Sequence, residues 1–171
     1  NNGANDGWNL VSLRLTPSST AVGDVLAGIS GKYDVVQAYA NGAWQTYRPG
    51  FGGELTTLDH TRGFWIRVTQ DCTLTVTGDP PSSTTFNLTT GNGGWHMISW
   101  PSDNGRDVGT ALAGIAGSYD MVYAYDAQDH DDPWKIHHPS APGYANDLGQ
   151  FLPGHAYWIH VVSNCDLTVA Y

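Results

Sequence analysis

The chain has 171 residues, of which 40% are hydrophobic, 12% aromatic and only 13% charged, and its net charge is −9 at pH 7. This acidity argues against nucleic acid and anionic membrane surfaces as partners, because both are bound through basic patches. Membrane insertion is not expected either, since no apolar run approaches the roughly 18 residues of a membrane span.

The composition is typical of a turn-rich β protein that functions outside the cell. The chain contains 21 glycines and 9 prolines, with many serines, threonines and asparagines, which favours short strands joined by turns. Few lysines, abundant aromatics and an acidic pI are typical of secreted or cell-surface modules. The polar start at residues 1–6 is unlike a signal peptide and is typical of a mature or excised N-terminus.

An internal duplication organises the sequence. Gly-Phe-Trp-Ile-Arg-Val at residues 63–68 returns as Ala-Tyr-Trp-Ile-His-Val at residues 156–161. We therefore predict two homologous repeats, residues 1–82 and 83–171. Units of this size bury only about two-thirds of their unfolded surface, so they are expected to pack on each other with pseudo-twofold symmetry.

Each half repeats the same series of predicted elements. A strand (8–13 or 95–100) is followed by a short helix (22–29 or 108–115), a second strand (33–39 or 119–125) and a return strand, then by the duplicated strand and a final strand (72–76 or 165–169). Ser19 or Thr20 is predicted to cap the first helix and Asp107 the second, and Gly31 and Gly117 to end them. The fold class is thus mainly β, with two sandwich-like repeats that each contain one short helix.

Three segments differ between the halves. The first hairpin turns at Asn41-Gly42, a strong type I′ signal, whereas residues 126–133 enlarge the same turn in the second half. Residues 84–89 form an additional predicted strand that belongs to the second half or crosses between the halves. A stiff linker at residues 79–83 precedes it.

Cys72 and Cys165 occupy matching places on the two final strands. Each lies on the apolar phase of its strand, which predicts two separate buried thiols. One disulfide across the axis between the halves is the alternative, and an oxidising compartment would permit it.

The recurring motifs are Gly-Trp at residues 7–8 and 94–95, Tyr-Asp-x-Val-x-Ala-Tyr at 33–39 and 119–125, and then Trp, Pro and aromatic-Trp-Ile. This series resembles tandem repeats of secreted or cell-surface proteins of bacteria and archaea. Such repeats lie among adhesion modules or are appended to extracellular hydrolases. The resemblance implies a module of a larger multidomain protein and no particular catalytic residue.

Two aromatic platforms are the predicted ligand-binding sites. Trp8, Trp65, Trp95 and Trp158 are expected in the core, whereas Trp44 and Trp134 lie on return strands among polar neighbours. Aromatic faces stack on sugar rings while polar side chains bind hydroxyl groups. The first platform comprises Trp44, Tyr47, Arg48 and Phe51, and the second Trp134, His137, His138 and Tyr144. The alternative is that these aromatics only cover the end of each core.

The enlarged turn of the second half is the candidate metal site. Asp126, Asp129, His130, Asp131 and Asp132 could hold a cation, with carboxylates favouring calcium and imidazole favouring zinc or copper. The spacing lacks the glycine and distal glutamate of an EF-hand, so a solvated acidic loop is the alternative. No other cofactor is expected.

No catalytic motif stands out. The sequence has no Gly-x-Ser-x-Gly elbow and no phosphate-cradling glycine loop, and Glu54 is its one glutamate. We therefore predict a protein that is not an enzyme but a carbohydrate-binding module for polysaccharide or oligosaccharide. A structural or adhesive repeat that contacts proteins or spaces domains is the alternative.

Overall fold

The structure is a computed structural model that describes residues 6–171, so most of the polar N-terminal segment discussed above lies outside the described residues. Within residues 6–171, none of the helices has the length and apolar character needed to cross a membrane. The predicted mainly β class is confirmed, because strands dominate and the helices are short.

The first half is built around one antiparallel sheet. Its strands are β1 (Trp8–Ser12), β2 (Thr16–Pro17), β3 (Tyr33–Ala40), β4 (Ala43–Arg48), β5 (Gly52–Gly53), β6 (Gly63–Val68) and β7 (Gly78–Asp79). The sheet has the order β1-β6-β3-β4-β5, and β2 pairs separately with β7.

The second half has the same central arrangement. Its strands are β8 (Ser83–Leu88), β9 (Trp95–Ser99), β10 (Arg106–Asp107), β11 (Tyr119–Tyr125), β12 (Trp134–His137), β13 (Gln150–Phe151), β14 (Ala156–Val161) and β15 (Cys165–Ala170). The order β12-β11-β14-β9 repeats β4-β3-β6-β1, and β8 pairs with β15 and β10 with β13. The pseudo-twofold axis and the boundary after residue 82 stay predictions.

Both predicted helices form, each as one α-helical turn followed by a 3₁₀ turn. Helix α1 spans Val22–Val25 and α2 spans Val108–Ala111. Asp107 caps α2 as predicted, since its Oδ1 accepts a hydrogen bond from the Thr110 amide at 3.0 Å. The Ser19 or Thr20 cap is wrong: Ala21 is the N-cap of α1, and the Ser19 hydroxyl donates to Asp24 instead.

The predicted hairpin turn and the predicted glycines at the helix ends are also present. Asn41 and Gly42 have φ values of 54° and 79°, as a type I′ hairpin turn requires, and they connect the paired residues Ala40 and Ala43. Gly31 and Gly117 follow the helical segments with φ values of 76° and 80°.

The final predicted strand forms in one half only. In the second half it is β15, which pairs with β8 along its whole length, so the additional strand belongs to the second half. In the first half, residues 72–76 are not a strand, because no described residue supplies a ladder partner. Cys72 and Cys165 are separate, half-buried free thiols, so the disulfide alternative is wrong and full burial is not reached.

Each half has its own core between its helix and one face of its sheet. Leu26, Ile29 and Phe64 are at most 2% exposed in the first core, and Leu112, Ile115 and Tyr157 at most 3% in the second. A third, smaller cluster lies between the two sheets and consists of Leu10, Met97 and Ala156 with surrounding aromatic rings. The halves therefore pack on each other through the sheet faces that do not contact the helices.

Candidate functional site

The face of each sheet opposite its helix carries most of the tryptophan side chains. Successive side chains of a strand point to opposite faces, so Trp8 and Leu10 of β1 lie on one side and Val11 on the other. Met97 of β9 and Ala156 of β14 meet Leu10 at the centre of the contact between the sheets. The larger rings extend outward from this centre.

Ring contacts across the two halves are reciprocal. Trp65 of the first half lies 4.8 Å from Tyr125 of the second, and Trp158 of the second lies 5.1 Å from Tyr39 of the first, measured between ring centroids. These are equivalent positions in the two sheets. Their interplanar angles of 66° and 54° give edge-to-face or tilted packing, which aromatic pairs prefer.

The exposed hairpin tryptophans contact the same two residues. Trp44, 50% exposed, lies 5.6 Å from Trp158, and Trp134, 44% exposed, lies 5.7 Å from Trp65. Each hairpin therefore reaches across to the other half. Trp44 and Trp134, predicted on two separate platforms, belong to one continuous surface.

This surface forms a concavity that we name the tryptophan groove. A cleft of about 550 Å³ is lined by Trp8, Gln37, Trp44, Trp65, Tyr125, Trp134 and Trp158. A neighbouring cleft of about 320 Å³ shares two of these residues and is lined by Trp95, Tyr123, Trp134 and Trp158. The larger volume lies in the range of small-molecule sites, about 300–1,000 Å³. Six of the seven tryptophans in the chain line the groove.

A hydrogen-bonded pair of polar side chains lies beside Trp8 in the first half and beside Trp95 in the second. Arg67 is centred 5.7 Å from the Trp8 ring and donates hydrogen bonds of 2.8 and 2.5 Å to Asp34. At the corresponding place in the second half, the His160 ring lies 4.9 Å from Trp95, and its Nδ1 is 2.5 Å from Asp120. The groove thus has an aromatic floor and polar groups at its ends.

The Arg67 guanidinium holds the pKa of the Asp34 carboxyl below its usual value, chiefly through the hydrogen bonds between them. A depressed carboxyl pKa stabilises the fold above the unfolded-state pKa of about 3.9, and this contribution is lost as the pH falls through the lowered value. Asp34→Asn is therefore expected to destabilise the protein by at most about 1 kcal/mol at pH 7, since the pair is partly exposed, and by nothing at strongly acidic pH. Urea unfolding at several pH values measures this difference.

Arg67→Gln provides the matched comparison for that experiment. It removes the same ion pair, so it should give a loss of similar size at pH 7. The double variant should lose about as much stability as either single variant, which is less than the sum of the two losses. A constant effect of Asp34→Asn from acidic to neutral pH would contradict the ion-pair explanation.

The first predicted platform is not formed as a unit. Trp44 and Tyr47 are three residues apart on β4, and the two-residue period of a strand places them on opposite faces. Tyr47 packs against the first core, opposite Val36. Arg48 is exposed at the strand end, and Phe51 is 91% exposed on a loop outside the groove.

The second platform is divided in the same way. His137 of β12 points away from Trp134 and stacks on Tyr119, with 6.4 Å between the ring centroids, and burial lowers its pKa. The His138 backbone amide donates to Asn146, and its ring Nδ1 accepts a hydrogen bond from the Ser140 amide. Tyr144 is 93% exposed in a short 3₁₀ turn (Gly143–Ala145) outside the groove.

The predicted metal loop is organised by an internal cation instead. Lys135 Nζ lies 2.7 Å from the Asp129 carboxylate and 3.7 Å from that of Asp132. Asp129 also accepts hydrogen bonds from the Asp131 and Asp132 amides, while Asp126 accepts one from the Gln128 amide. Across residues 6–171, no group of three or more His, Cys, Asp or Glu side chains, His130 included, is placed to hold a metal ion.

The sequence interpretation missed most of the groove because it assigned four tryptophans to the core. Trp8, Trp65, Trp95 and Trp158 are half-buried rather than enclosed. The sequence does contain a signal that this strand is covered on both sides, because both faces of residues 8–13 carry large apolar side chains. One such face packs on the helix, and the other is available for the second half.

Comparisons of the chain with family models, with curated proteins and with solved structures found no match.

Proposed function

We propose that this protein is a non-catalytic carbohydrate-binding module of a secreted or cell-surface protein, and that it binds polysaccharide along the tryptophan groove. The observation that carries the proposal is the collection of six of seven tryptophans on one concave surface between the halves. Water-exposed aromatic surface on this scale is costly unless a ligand covers it.

Sugar rings have apolar C–H faces and polar edges. Trp44 and Trp134 each present about half of their surface to solvent and are held by edge-to-face contacts with Trp158 and Trp65. Rings fixed in this way lose little conformational entropy on binding, which favours affinity. Aromatic side chains that line an elongated surface suit successive sugar units of a chain.

Polar side chains provide partners for hydroxyl groups. The Gln37 amide lies in the larger cleft, where its Nε2 donates to Thr46 Oγ1 at 3.3 Å. The Arg67–Asp34 and His160–Asp120 pairs flank Trp8 and Trp95 at the two ends. Hydrogen bonds from these groups would orient a sugar chain along the groove.

A structural or adhesive repeat is the second candidate, and one observation favours it. Trp44 and Trp134 use their contacts to join the two halves, since each packs on a tryptophan of the other half. If these rings stabilise the contact between the two halves, their position on the surface is explained without a bound ligand.

The test measures binding to a panel of polysaccharides by affinity gel electrophoresis and by pull-down with insoluble cellulose, chitin and xylan. We expect retention by at least one of them and a loss of about tenfold or more in affinity in Trp44→Ala and Trp134→Ala, because each ring supplies on the order of 1–2 kcal/mol of stacking. Circular dichroism checks that both variants remain folded.

Phe51→Ala and Tyr144→Ala are the matched controls. Both remove an aromatic ring that is more than nine-tenths exposed and lies outside the groove, so affinity should not change. Absence of glycan binding at high protein concentration, or binding that depends on Phe51 and Tyr144 alone, would overturn the proposal for the groove.

A further inference from the structure

Three aromatic rings form a corner inside the tryptophan groove. Trp65 of the first half and Tyr125 and Trp134 of the second all line the larger cleft. Their ring centroids are 4.8 Å (Trp65 to Tyr125), 5.1 Å (Tyr125 to Trp134) and 5.7 Å (Trp65 to Trp134) apart. The three interplanar angles lie between 61° and 70°, so the rings face different directions and do not stack. We name these three rings the aromatic corner.

The spacing of the aromatic corner fits one compact cation. A point about 4 Å from the plane of the three centroids lies about 5 Å from each of them, within the roughly 6 Å limit of cation–π contacts. Tryptophan attracts a cation most strongly of the aromatic side chains, and tyrosine contributes as well. Several aromatic rings around one point are the arrangement by which proteins recognise quaternary ammonium groups. The cleft, with a volume of about 550 Å³, has room for such a group.

The electrostatic surroundings of the aromatic corner also favour a cation. None of the described residues that line the cleft is charged, so a bound cation meets no like charge there. Burial raises the pKa of the Tyr125 phenol, and the negative charge of Asp6 adds to this shift. The Asp6 carboxylate therefore lies within electrostatic range of the aromatic corner. The net charge of −9 on the whole chain attracts cations and disfavours anions.

Two cations on neighbouring parts of the strands are already neutralised by carboxylates. Arg67 is centred 5.7 Å from the Trp8 ring, which is not part of the aromatic corner, and donates two hydrogen bonds to Asp34. Lys135 Nζ lies 2.7 Å from the Asp129 carboxylate. Lys135 directly follows a ring of the aromatic corner on β12, so its side chain points to the opposite face. Both positive charges are thus offset by a bound carboxylate.

We propose that the aromatic corner of Trp65, Tyr125 and Trp134 binds the quaternary ammonium group of a small organic cation such as choline. The ring quadrupoles and the Asp6 carboxylate attract the positive charge, while the methyl groups contact the ring surfaces. Such a group donates no hydrogen bond, which agrees with a lining whose described members, Gln37 apart, are all aromatic. This function goes beyond polysaccharide binding and does not depend on it.

The experiment titrates the isotope-labelled full chain, without glycan, with choline chloride and with dimethylbutanol. The alcohol has the shape of choline, but a quaternary carbon replaces the charged nitrogen. We expect choline to shift the tryptophan indole N–H signals in the nuclear magnetic resonance spectrum at millimolar concentration. The alcohol should bind at least about tenfold more weakly, because it forms no cation–π contact. Sodium chloride at equal concentration controls for ionic strength.

Three substitutions of aromatic residues locate the site. Trp134→Ala should weaken choline binding by about tenfold or more, whereas Trp134→Phe keeps a ring at this place and should retain part of the affinity. Tyr144→Ala removes a ring outside the groove and should leave choline binding unchanged. Circular dichroism checks that each variant remains folded.

Two substitutions of carboxylates test the electrostatic contribution. Asp6→Asn should weaken choline binding by about two- to fivefold and leave binding of the alcohol unchanged. Asp166→Asn removes the same charge from an exposed position on β15, outside the groove, and should change neither.

Equal binding of choline and the alcohol would show that apolar contact alone drives binding and would overturn the proposal. Choline binding that survives Trp134→Ala, or no shift of the indole signals at high choline concentration, would overturn it as well. Because no glycan is present, these results do not depend on whether the groove binds polysaccharide.

Discussion

Replacement of Trp158 by alanine is expected to destabilise the fold by about 3 kcal/mol. Trp158 contacts Tyr39, Trp44 and Trp95, with centroid distances of 5.1, 5.6 and 6.4 Å, so its removal takes away contacts on both sides of the junction between the halves. Urea unfolding followed by far-ultraviolet circular dichroism measures the loss without relying on tryptophan fluorescence.

The stabilities of two further variants, Tyr144→Ala and Trp44→Ala, serve as controls for Trp158→Ala. Tyr144→Ala removes a ring that is 93% exposed and should change stability by less than about 0.5 kcal/mol. Trp44→Ala removes a half-exposed ring and should cost less stability than Trp158→Ala. A Trp158→Ala variant as stable as wild type would show that the rings merely lie together and do not hold the halves.

Local features were predictable from the sequence because their causes are local. Asn41-Gly42 forms its turn because both residues tolerate positive φ, and Asp107 caps its helix because its carboxylate reaches an amide three residues ahead. The duplicated strand was recognised from its repeat, since a motif that recurs at matching places defines a common fold. These inferences did not require knowledge of any distant contact.

Only part of the groove, Trp44 and Trp134, was predicted from the sequence. The rest depends on a long-range contact between the two sheets. Alternation shows that a strand has two apolar faces, but not whether the second face meets a helix, another sheet or water. The grouping of Trp44 with Tyr47 failed for a simpler reason. A three-residue separation brings side chains together on a helix, whereas on β4 it places them on opposite faces.

Residues 72–76 show a different limit of prediction from sequence, because an alternating pattern does not by itself ensure that a strand forms. The alternation at residues 72–76 matches that of β15, so the sequence predicts equal strands. A strand also requires a partner, and β8 provides one only to the second half. The same pattern therefore gives a ladder in the second half, whereas residues 72–76 form no ladder with any residue in 6–171.

The contact between the halves is also expected to be sensitive to a single methyl group. Gly63→Ala should destabilise the protein by about 1–3 kcal/mol, because the added Cβ would lie 2.6 Å from the Ala156 Cβ and 2.9 Å from the Ile98 carbonyl oxygen. The two positions are equivalent in the two sheets and meet at the centre of the junction. There is room for one methyl group between them but not for two.

Urea unfolding of three variants tests this explanation. Gly28→Ala is the control, since an added Cβ there meets nothing within 4 Å, and it should leave stability unchanged or raise it by up to about 1 kcal/mol. The exchange Gly63→Ala with Ala156→Gly restores one methyl group to the junction and should recover part of the loss, while the carbonyl contact prevents full recovery. If the double variant loses the sum of the two single losses, the positions act independently and the close contact between the halves is not what limits residue 63 to glycine.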